Sequence, residues 1–492
     1  MKIKSLAVGM MACAALVACS NNDLVDDNNG NQPLEGEAYV AVAITNPNNT
    51  FGRATAGDEE VGTAEENKVE NATFVFFDAN GNHITNVKIG NDELKLNEKN
   101  QTSEAVLVLN NASIEPTSVV AFLNAPEELN INQPLSSLLT DAGQYGYNAN
   151  GNFVMSNSVF KNVQNNTIQV ATPISGHIKE SAEEAMKDPL DIYVERVLSK
   201  VTVTDETSKG TIATETTING EQVTLEPRVV GWILNGTNNE AYILKNVDEN
   251  ITAEWAWGTN RSFWAKDVNY TTTNLEDLTF RSYNEANTNN KNDNYYCLEN
   301  TLTNYDRTQP NYTHLLVVAQ IHDKKTNKDL GTFCSYNGQY YTENDLKTQF
   351  AAGLKKEDGS DVEARDIEFV EAGTSGNQAY MAKAEFKDEV QVSDDTKTAL
   401  TSKGKFMMYT EGKCYFWTAI EHIGPADKTG SVGVVRNHAY ALTLKTISGL
   451  GTPVVDPTEP IIPETPSDDN SYLAAQVHIL PWKMVSQNVD LK

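Results

Sequence analysis

The last twenty-two residues, Ser471 to Lys492, read SYLAAQVHILPWKMVSQNVDLK. In an extended chain Val477 and Ile479 share one face. Pro481 interrupts, Trp482 stands as a large apolar anchor, and Val485, Val489 and Leu491 resume an alternating apolar face. Twenty extended residues reach roughly 65 Å, whereas an average strand has ~5–6 residues. This stretch is therefore too long for one strand of one compact domain. The preceding segment, Gly449 to Asn470, carries prolines at 453, 457, 460, 463 and 466. Such a sequence favours extended polyproline-type backbone and could act as a semi-rigid spacer reaching about 60 Å. Two readings are open: the spacer delivers the last strand to another molecule, or the tail folds back to finish its own sheet.

The other end is an export signal. Lys2 and Lys4 precede a short apolar run, Leu6 to Val17, which is too short to span a bilayer as a helix. The run ends Leu16-Val17-Ala18-Cys19 and is followed by polar residues. This pattern predicts a lipoprotein signal peptide over 1–18. Cys19 is then the lipidation site, diacylated on its thiol and N-acylated with palmitate-type chains, since several acyl chains anchor stably where one does not. Residues 19–36 are rich in Asn and Asp and read as a flexible tether. The expected location is the cell outer membrane, on its outer surface.

A chain of 492 residues calls for more than one core. Abundant Asn, Thr and Gly and few helix-period stripes predict an all-β fold. The formal charge of −29 excludes nucleic acid as a partner, which needs a basic face. Beyond the leader and Cys19, the cysteines are Cys297, Cys334 and Cys414, an odd number that cannot all pair internally. Buried free thiols are the default, and the spacing leaves open whether any two pair.

Taken in order, Glu37 to Thr45 (EAYVAVAIT) has apolar or small residues on both faces and predicts a strand buried on both sides. Residues 46–67 are polar, with no apolar period, and predict an exposed loop. Arg53 is the loop's one basic residue, so Arg53–Ala54 is where a trypsin-like protease would cut. Alternatively, Arg53 is an ordinary loop arginine. Further strands are expected at Glu70–Asp78, Val106–Leu109, Ser118–Leu123, Ile192–Val203 and His314–Ile321. Hairpins are expected over Gly231–Val247 and around Glu411-Gly412, and helices at Pro134–Leu139 and Asp345–Leu354. The polar stretch Thr204–Gly220 suggests domains at 37–205 and 206–448, followed by the linker 449–470 and the strand segment 471–492.

No nucleophile elbow, phosphate loop, dinucleotide fingerprint or HExxH is present. The seven histidines are scattered, and no metal, cofactor or catalytic residue is expected. Trp255, Trp257 and Trp264 lie in a Tyr- and Asn-rich stretch that could stack on sugar rings or pack a core. An outer-membrane glycan-binding lipoprotein is therefore the alternative function.

The segment Gly433–Pro453 (GVVRNHAYALTLKTISGLGTP), the proline-rich link, and Val477–Leu491 closely resemble the C-terminal end of Bacteroidales fimbrial shaft subunits (type V pilins), nearest to the short-fimbrium Mfa-type major subunit family. IYVERVLSKVTV, RSFWAKDVNY and YYCLENT extend the likeness. The resemblance implies two β-sandwich domains of transthyretin-like topology and no enzymatic activity. It further implies a surface fimbrium that supports adhesion and polymerises by donor-strand exchange. A protease cut at Arg53–Ala54 would release residues 37–45. Val477, Ile479, Trp482, Val485, Val489 and Leu491 would then dock in the next copy. The implied partners are further copies of the chain, accessory anchor and tip subunits, the maturation protease and the outer membrane.

Overall fold

The computed structural model describes residues 37–45, 62–97, 102–110, 115–162, 167–247, 256–258, 261–271, 274–289, 294–303, 310–373, 381–423, 432–463 and 472–481. The chain is all-β, with a few short helices. No helix among the described residues is long and apolar enough to cross a membrane.

The N-terminal sheet uses β1 (Glu37–Thr45), β2 (Asn71–Phe77), β3 (His83–Gly90), β4 (Lys95–Asn97), β5 (Thr102–Asn110), β6 (Ser118–Leu123), β7 (Met155–Asn157) and β8 (Leu190–Arg196). Its order is β3-β2-β6-β7-β8-β1-β5-β4, with Thr172–Pro173 added beside β6. Phe74, Val75, Phe76 and Phe77 on β2 are fully buried, so neither face of that strand meets water. A tight turn joins β2 to β3. Asp78 accepts the backbone N–H groups of Asn80 and Asn82, and Gly81 takes the left-handed φ of +76°. Side chains from β1, β2, β5, β6 and β8 meet in one core.

The second part is a sandwich. One layer holds β9 (Leu198–Asp205), β12 (Tyr295–Leu298), β15 (His438–Ser448) and β17 (Tyr472–Pro481), in the order β12-β9-β15-β17. The larger layer includes β10 (Thr214–Ile218), β11 (Glu221–Asn235), β13 (His314–Asp323), β14 (Lys413–Ala419) and β16 (Thr452–Pro453), in that order of neighbours. Val201, Tyr440, Leu442 and Leu444 from the first layer pack on Leu225, Trp232, Leu315, Val317 and Phe416 from the second. The helix Tyr283–Thr288 lies so close on β11 that a methyl group at Gly231 would collide with the carbonyl of Ala286. Beyond β10 the larger layer runs through Gln339–Thr342, Phe333–Tyr336, Lys405–Tyr409, Met381–Phe386 and Ile367–Glu371.

Several expectations need correction. The strand foreseen over Ile192–Val203 is two strands, one on each side of Val197, that belong to different sheets. The cause is the adjacent pair Glu195-Arg196, both fully buried, each held by different partners at the junction. Gly231–Val247 is not a hairpin. After β11 the chain pairs Thr237–Asn238 with Leu278–Thr279, and Ala241–Tyr242 with Ala142–Gly143. Ala241, Ile243 and Leu244 thereby join the N-terminal core. Lys405–Tyr409 and Lys413–Ala419 do not pair either. Glu411 and Gly412, at φ +52° and +74°, turn the chain across the sheet. The helix expected on the surface at 345–354 spans Glu343–Ala351 and buries Leu346, Phe350 and Ala351.

Candidate functional site

β1 is an interior strand. It pairs in parallel with β8, with Val42 opposite Leu190 and Ile44 opposite Ile192. On its other side it pairs antiparallel with β5, with Val40 opposite Leu107 and Val42 opposite Ala105. Ala38, Val40, Val42 and Ile44 face the core. Ala41 and Ala43, on the alternate face, are also buried, and the short helix Ala182–Ala185 packs on this strand. The alternation of branched and small side chains is thus the imprint of a thick core on one side and close packing on the other. Without β1, β5 and β8 would each present a row of unpaired N–H and C=O groups along an apolar slot.

Arg53, Ala54 and Cys19 lie outside the described residues. The sequence predicts exposure between β1 and β2 as far as Asn67, but the described residues at the end of this stretch are held in place. Glu66 and Asn67 are buried. Thr63 and Glu66 close a tight turn: the Thr63 N–H donates to Glu66 Oε2 at 2.7 Å, and the Glu66 N–H donates to Thr63 Oγ1 at 3.2 Å. Glu66 Oε1 lies 3.1 Å from Lys200 Nζ and accepts the hydroxyl of Tyr296. Lys200 and Tyr296 face each other across β9 and β12. The Glu66 carbonyl accepts Arg196 Nε at 2.9 Å, and Asn67 Oδ1 accepts Arg196 Nη2. Burial, and then the bond to Glu66, push the Tyr296 phenol up. Sequence reasoning missed Glu66, although Thr63-x-x-Glu66 is a capping-box spacing that marks a closed turn.

The last strand folds back. β17 pairs antiparallel with β15 of the same chain, from Tyr472 opposite Ser448 to Pro481 opposite His438, and forms the outer edge of its sheet. Val477 pairs with Leu442 and Ile479 with Tyr440. Trp482, Val485, Val489 and Leu491 lie outside the described residues. The proline-rich link does not stand off as a spacer over residues 449–463. Val454 and Ile461 are buried, β16 pairs with β14, and Asn235 donates to the Ile461 carbonyl at 2.9 Å. Thr410 Oγ1 donates to the Val455 carbonyl at 2.6 Å, and the Asn284 N–H donates to that of Pro457 at 3.1 Å. Prolines here supply straps whose carbonyls are used by neighbours.

Around this junction lie buried charges. Lys245 and Arg261 sit 3.3 and 3.0 Å from Glu195, and Arg436 sits 3.2 Å from Glu299. Burial lowers the Lys245 ammonium and raises Asp267 to about 8. Trp264 is buried in a small core, and Trp257 is partly buried beneath Lys161, so neither offers an open stacking face. Trp255 lies outside the described residues. A cleft of about 690 Å³ is lined by Tyr147, Tyr295, Asn238, Asn239 and Arg281, among others. Its amides are largely bonded already: Asn238 to Asp267 and Glu299, and Asn239 to Asp277. Cys297, Cys334 and Cys414 are free, buried thiols. Burial pushes Cys297 up to about 12. Among the described residues no His, Cys, Asp and Glu cluster is arranged to hold a metal ion.

Residues 407–488 match the family model for the C-terminal region of the major fimbrial subunit protein type IV, fimbrillin. The C-terminal end of the chain is fimbrillin-like. No curated protein matches by sequence. Among solved structures, similarity extends to a candidate cell adhesion protein from Parabacteroides distasonis, at 12% identity and TM-score 0.41, covering 91% of this chain and 98% of that one. It extends also to the fimbrilin FimA of Porphyromonas gingivalis, at 12% identity and TM-score 0.37, covering 91% and 98%. The tip fimbrial protein Mfa3 of the same organism, with a C-terminal truncation, has 10% identity and TM-score 0.32, covering 91% and 100%. The fimbrillin-like region contains β14, β15 and the described part of the final strand.

Proposed function

We propose that the chain is a structural subunit of a bacterial surface fimbrium that polymerises by strand replacement and supports adhesion. The observation that carries this reading is the interior position of β1, between one parallel and one antiparallel neighbour. A cut at Arg53–Ala54 severs β1 from the rest of the chain. Its loss leaves a slot that an incoming strand fills by main-chain hydrogen bonds, with side-chain pockets setting the register. Burying each large aliphatic side chain there is worth roughly 1.5–3 kcal/mol, which the incoming strand must match.

The occupant comes from the C-terminal segment 471–492 of a second copy, from the part that follows its own paired strand. Val485, Gln487, Val489 and Leu491 alternate with Ser486, Asn488 and Asp490. That alternation repeats the large and small faces of β1, with Gln487 as the one polar residue on the large face. Val477 and Ile479 pair with their own β15 in the free chain. Trp482 sits at the boundary between this paired part and the part that reaches the neighbour. Before cleavage, Cys19 holds the exported precursor to the outer membrane by its acyl chains. Anchor and tip subunits would cap the two ends of the polymer.

The test uses the chain without its leader and Cys19, treated with limiting trypsin-like protease. The new N-terminus is mapped, and unboiled gels are run. The expected result is an Ala54 N-terminus and a ladder of polymers that vanishes when residues from Tyr472 onward are deleted. A clean cut that leaves only monomer overturns the reading.

A further inference from the structure

Of the segment joining β1 to β2, the described residues Gly62–Asn67 are bound into the junction between the two sheets; Arg53 precedes them in the sequence. Glu66 is the centre of that attachment. Its carboxylate is shared between Lys200 on β9 and Tyr296 on β12, and its carbonyl takes Arg196 of β8. Asn67 adds a second hold through Arg196, and its amide closes the turn onto the carbonyls of Gly62 and Thr63 at 2.8 and 2.6 Å. A side chain at Gly62 would press on Arg196 and Glu66. Just beyond the turn, the buried amide of Asn124 clasps the chain, donating to the Lys68 carbonyl and accepting the Glu70 N–H, both at 2.8 Å.

We propose that Glu66 is the positioning residue of maturation: it fixes Gly62–Asn67 in the junction, so that a cut in the preceding loop frees β1 alone. The reading rests on the proposed cleavage at Arg53–Ala54 and assigns it a boundary. Everything ahead of the cut leaves with β1. The retained chain, from Ala54, stays fastened a short distance downstream and cannot peel away toward β2. This matters physically because β2 follows at Asn71 and is fully buried from Ala72 to Phe77. Without a fastening, a new chain end next to β2 would fray into the core strand.

The clamp is tested with a glutamate-specific protease, because Glu65 is exposed and is followed directly by buried Glu66. Glu59 and Glu60, in the same stretch, are the reference sites. In the wild-type chain the Glu65–Glu66 bond should survive while the reference sites are cut. Glu66→Ala should speed cleavage directly after Glu65 about tenfold or more, because cleavage follows the population of the open segment. Glu66→Gln keeps one acceptor oxygen, for Thr63 or for Tyr296 but not both, and should fall between the two. Where Glu66→Ala does not fold, Glu66→Gln and Tyr296→Phe give the comparison, and amide exchange over residues 62–68 should accelerate in both. A role in stability alone would lower the melting temperature yet leave the cut positions unchanged, which overturns the clamp. Wild-type cleavage at Glu65 as fast as at Glu59, or no gain in the variants, likewise overturns the clamp alone. A loop that no protease opens overturns the maturation reading and the clamp with it.

Discussion

Lys200 Nζ lies 3.1 Å from Glu66 Oε1, and both side chains are almost wholly buried. The pair ties a residue just after the β1 loop to a strand of the other sheet. Breaking a buried pair by removing one partner leaves an uncompensated charge, at a cost of about 3–5 kcal/mol. Lys200→Met should therefore lower the unfolding free energy by about that amount. Adding Glu66→Gln to Lys200→Met should recover part of the loss, since the orphan charge is gone. Urea unfolding of the single and double variants measures both.

The tight face of β1 gives a second expectation. Ala43 is buried on the face of β1 that points away from the large core formed by Val40, Val42 and Ile44. Ala43→Leu overpacks that side and should destabilise the strand by about 1–3 kcal/mol. Since about 1.4 kcal/mol is a factor of ten in an equilibrium, the cut chain should shed its β1 peptide roughly tenfold faster. Mass spectrometry of the cut chain over time reads this. An unchanged release rate would mean that this face does not grip the strand.

Much of this arrangement is legible in the residues. EAYVAVAIT shows a strand buried on both faces because both parities are apolar or small, and the turn after β2 is written in Asp78 to Asn82. What escapes is what pairwise tertiary contacts decide. Glu195 and Arg196 interrupt no local pattern strongly, yet their separate buried partners split one predicted strand between two sheets. Glu411 adopts a left-handed conformation that local propensity does not favour, and it converts an apparent hairpin into a crossing. The prolines after Gly449 suggest a free spacer, because the sequence does not show that Asn235 and Thr410 take up the strap's carbonyls. Glu66 reads as loop charge because its partners, Lys200 and Tyr296, are more than a hundred residues away.

Asp267 offers a pH-dependent test. Burial dominates its environment and raises its carboxyl to about 8, despite bonds from Asn238 and Thr301. The folded state therefore prefers the protonated acid, while the unfolded chain ionises near ~3.9. This group's contribution is fully present below pH ~4 and is lost progressively as pH rises toward 8. Asp267→Asn should remove that slope and make the variant relatively more stable at pH 8 than at pH 5, by a few kcal/mol at most. Urea midpoints at the two pH values decide it.

The buried histidines act in the opposite direction. His314 and His422 are held down to about 4 and about 3 by burial, and His438 lies well below its ordinary value for the same reason. His422 and His438 stand ring to ring at 5.1 Å, with Lys245 nearby. The folded chain keeps all three neutral, while the unfolded chain protonates near ~6.5. Stability should therefore fall as pH drops below about 6.5, and the fall should continue toward pH 4. His314→Gln should flatten part of that fall in a melting series from pH 7 to pH 4.5.

The last expectation separates the two halves of the C-terminal segment. Tyr472–Pro481 completes its own sheet by pairing with His438–Ser448. In the proposed polymer the part beyond Trp482 fills the neighbour's slot, with Val489 in the middle of its apolar face. Val489→Asp places a carboxylate where β1 has a core-facing aliphatic side chain. It forfeits roughly 1.5–3 kcal/mol of apolar burial and adds the cost of desolvating a charge. The ladder on unboiled gels should disappear while the melting temperature of the uncut monomer stays unchanged. Leu442→Asp, in the strand that Tyr472–Pro481 pairs with, should do the reverse and unfold the monomer itself, because Leu442 is buried in the sandwich core. If Val489→Asp leaves the ladder intact, the incoming strand is not the segment after Trp482, and Val477 and Ile479 become the residues to vary next.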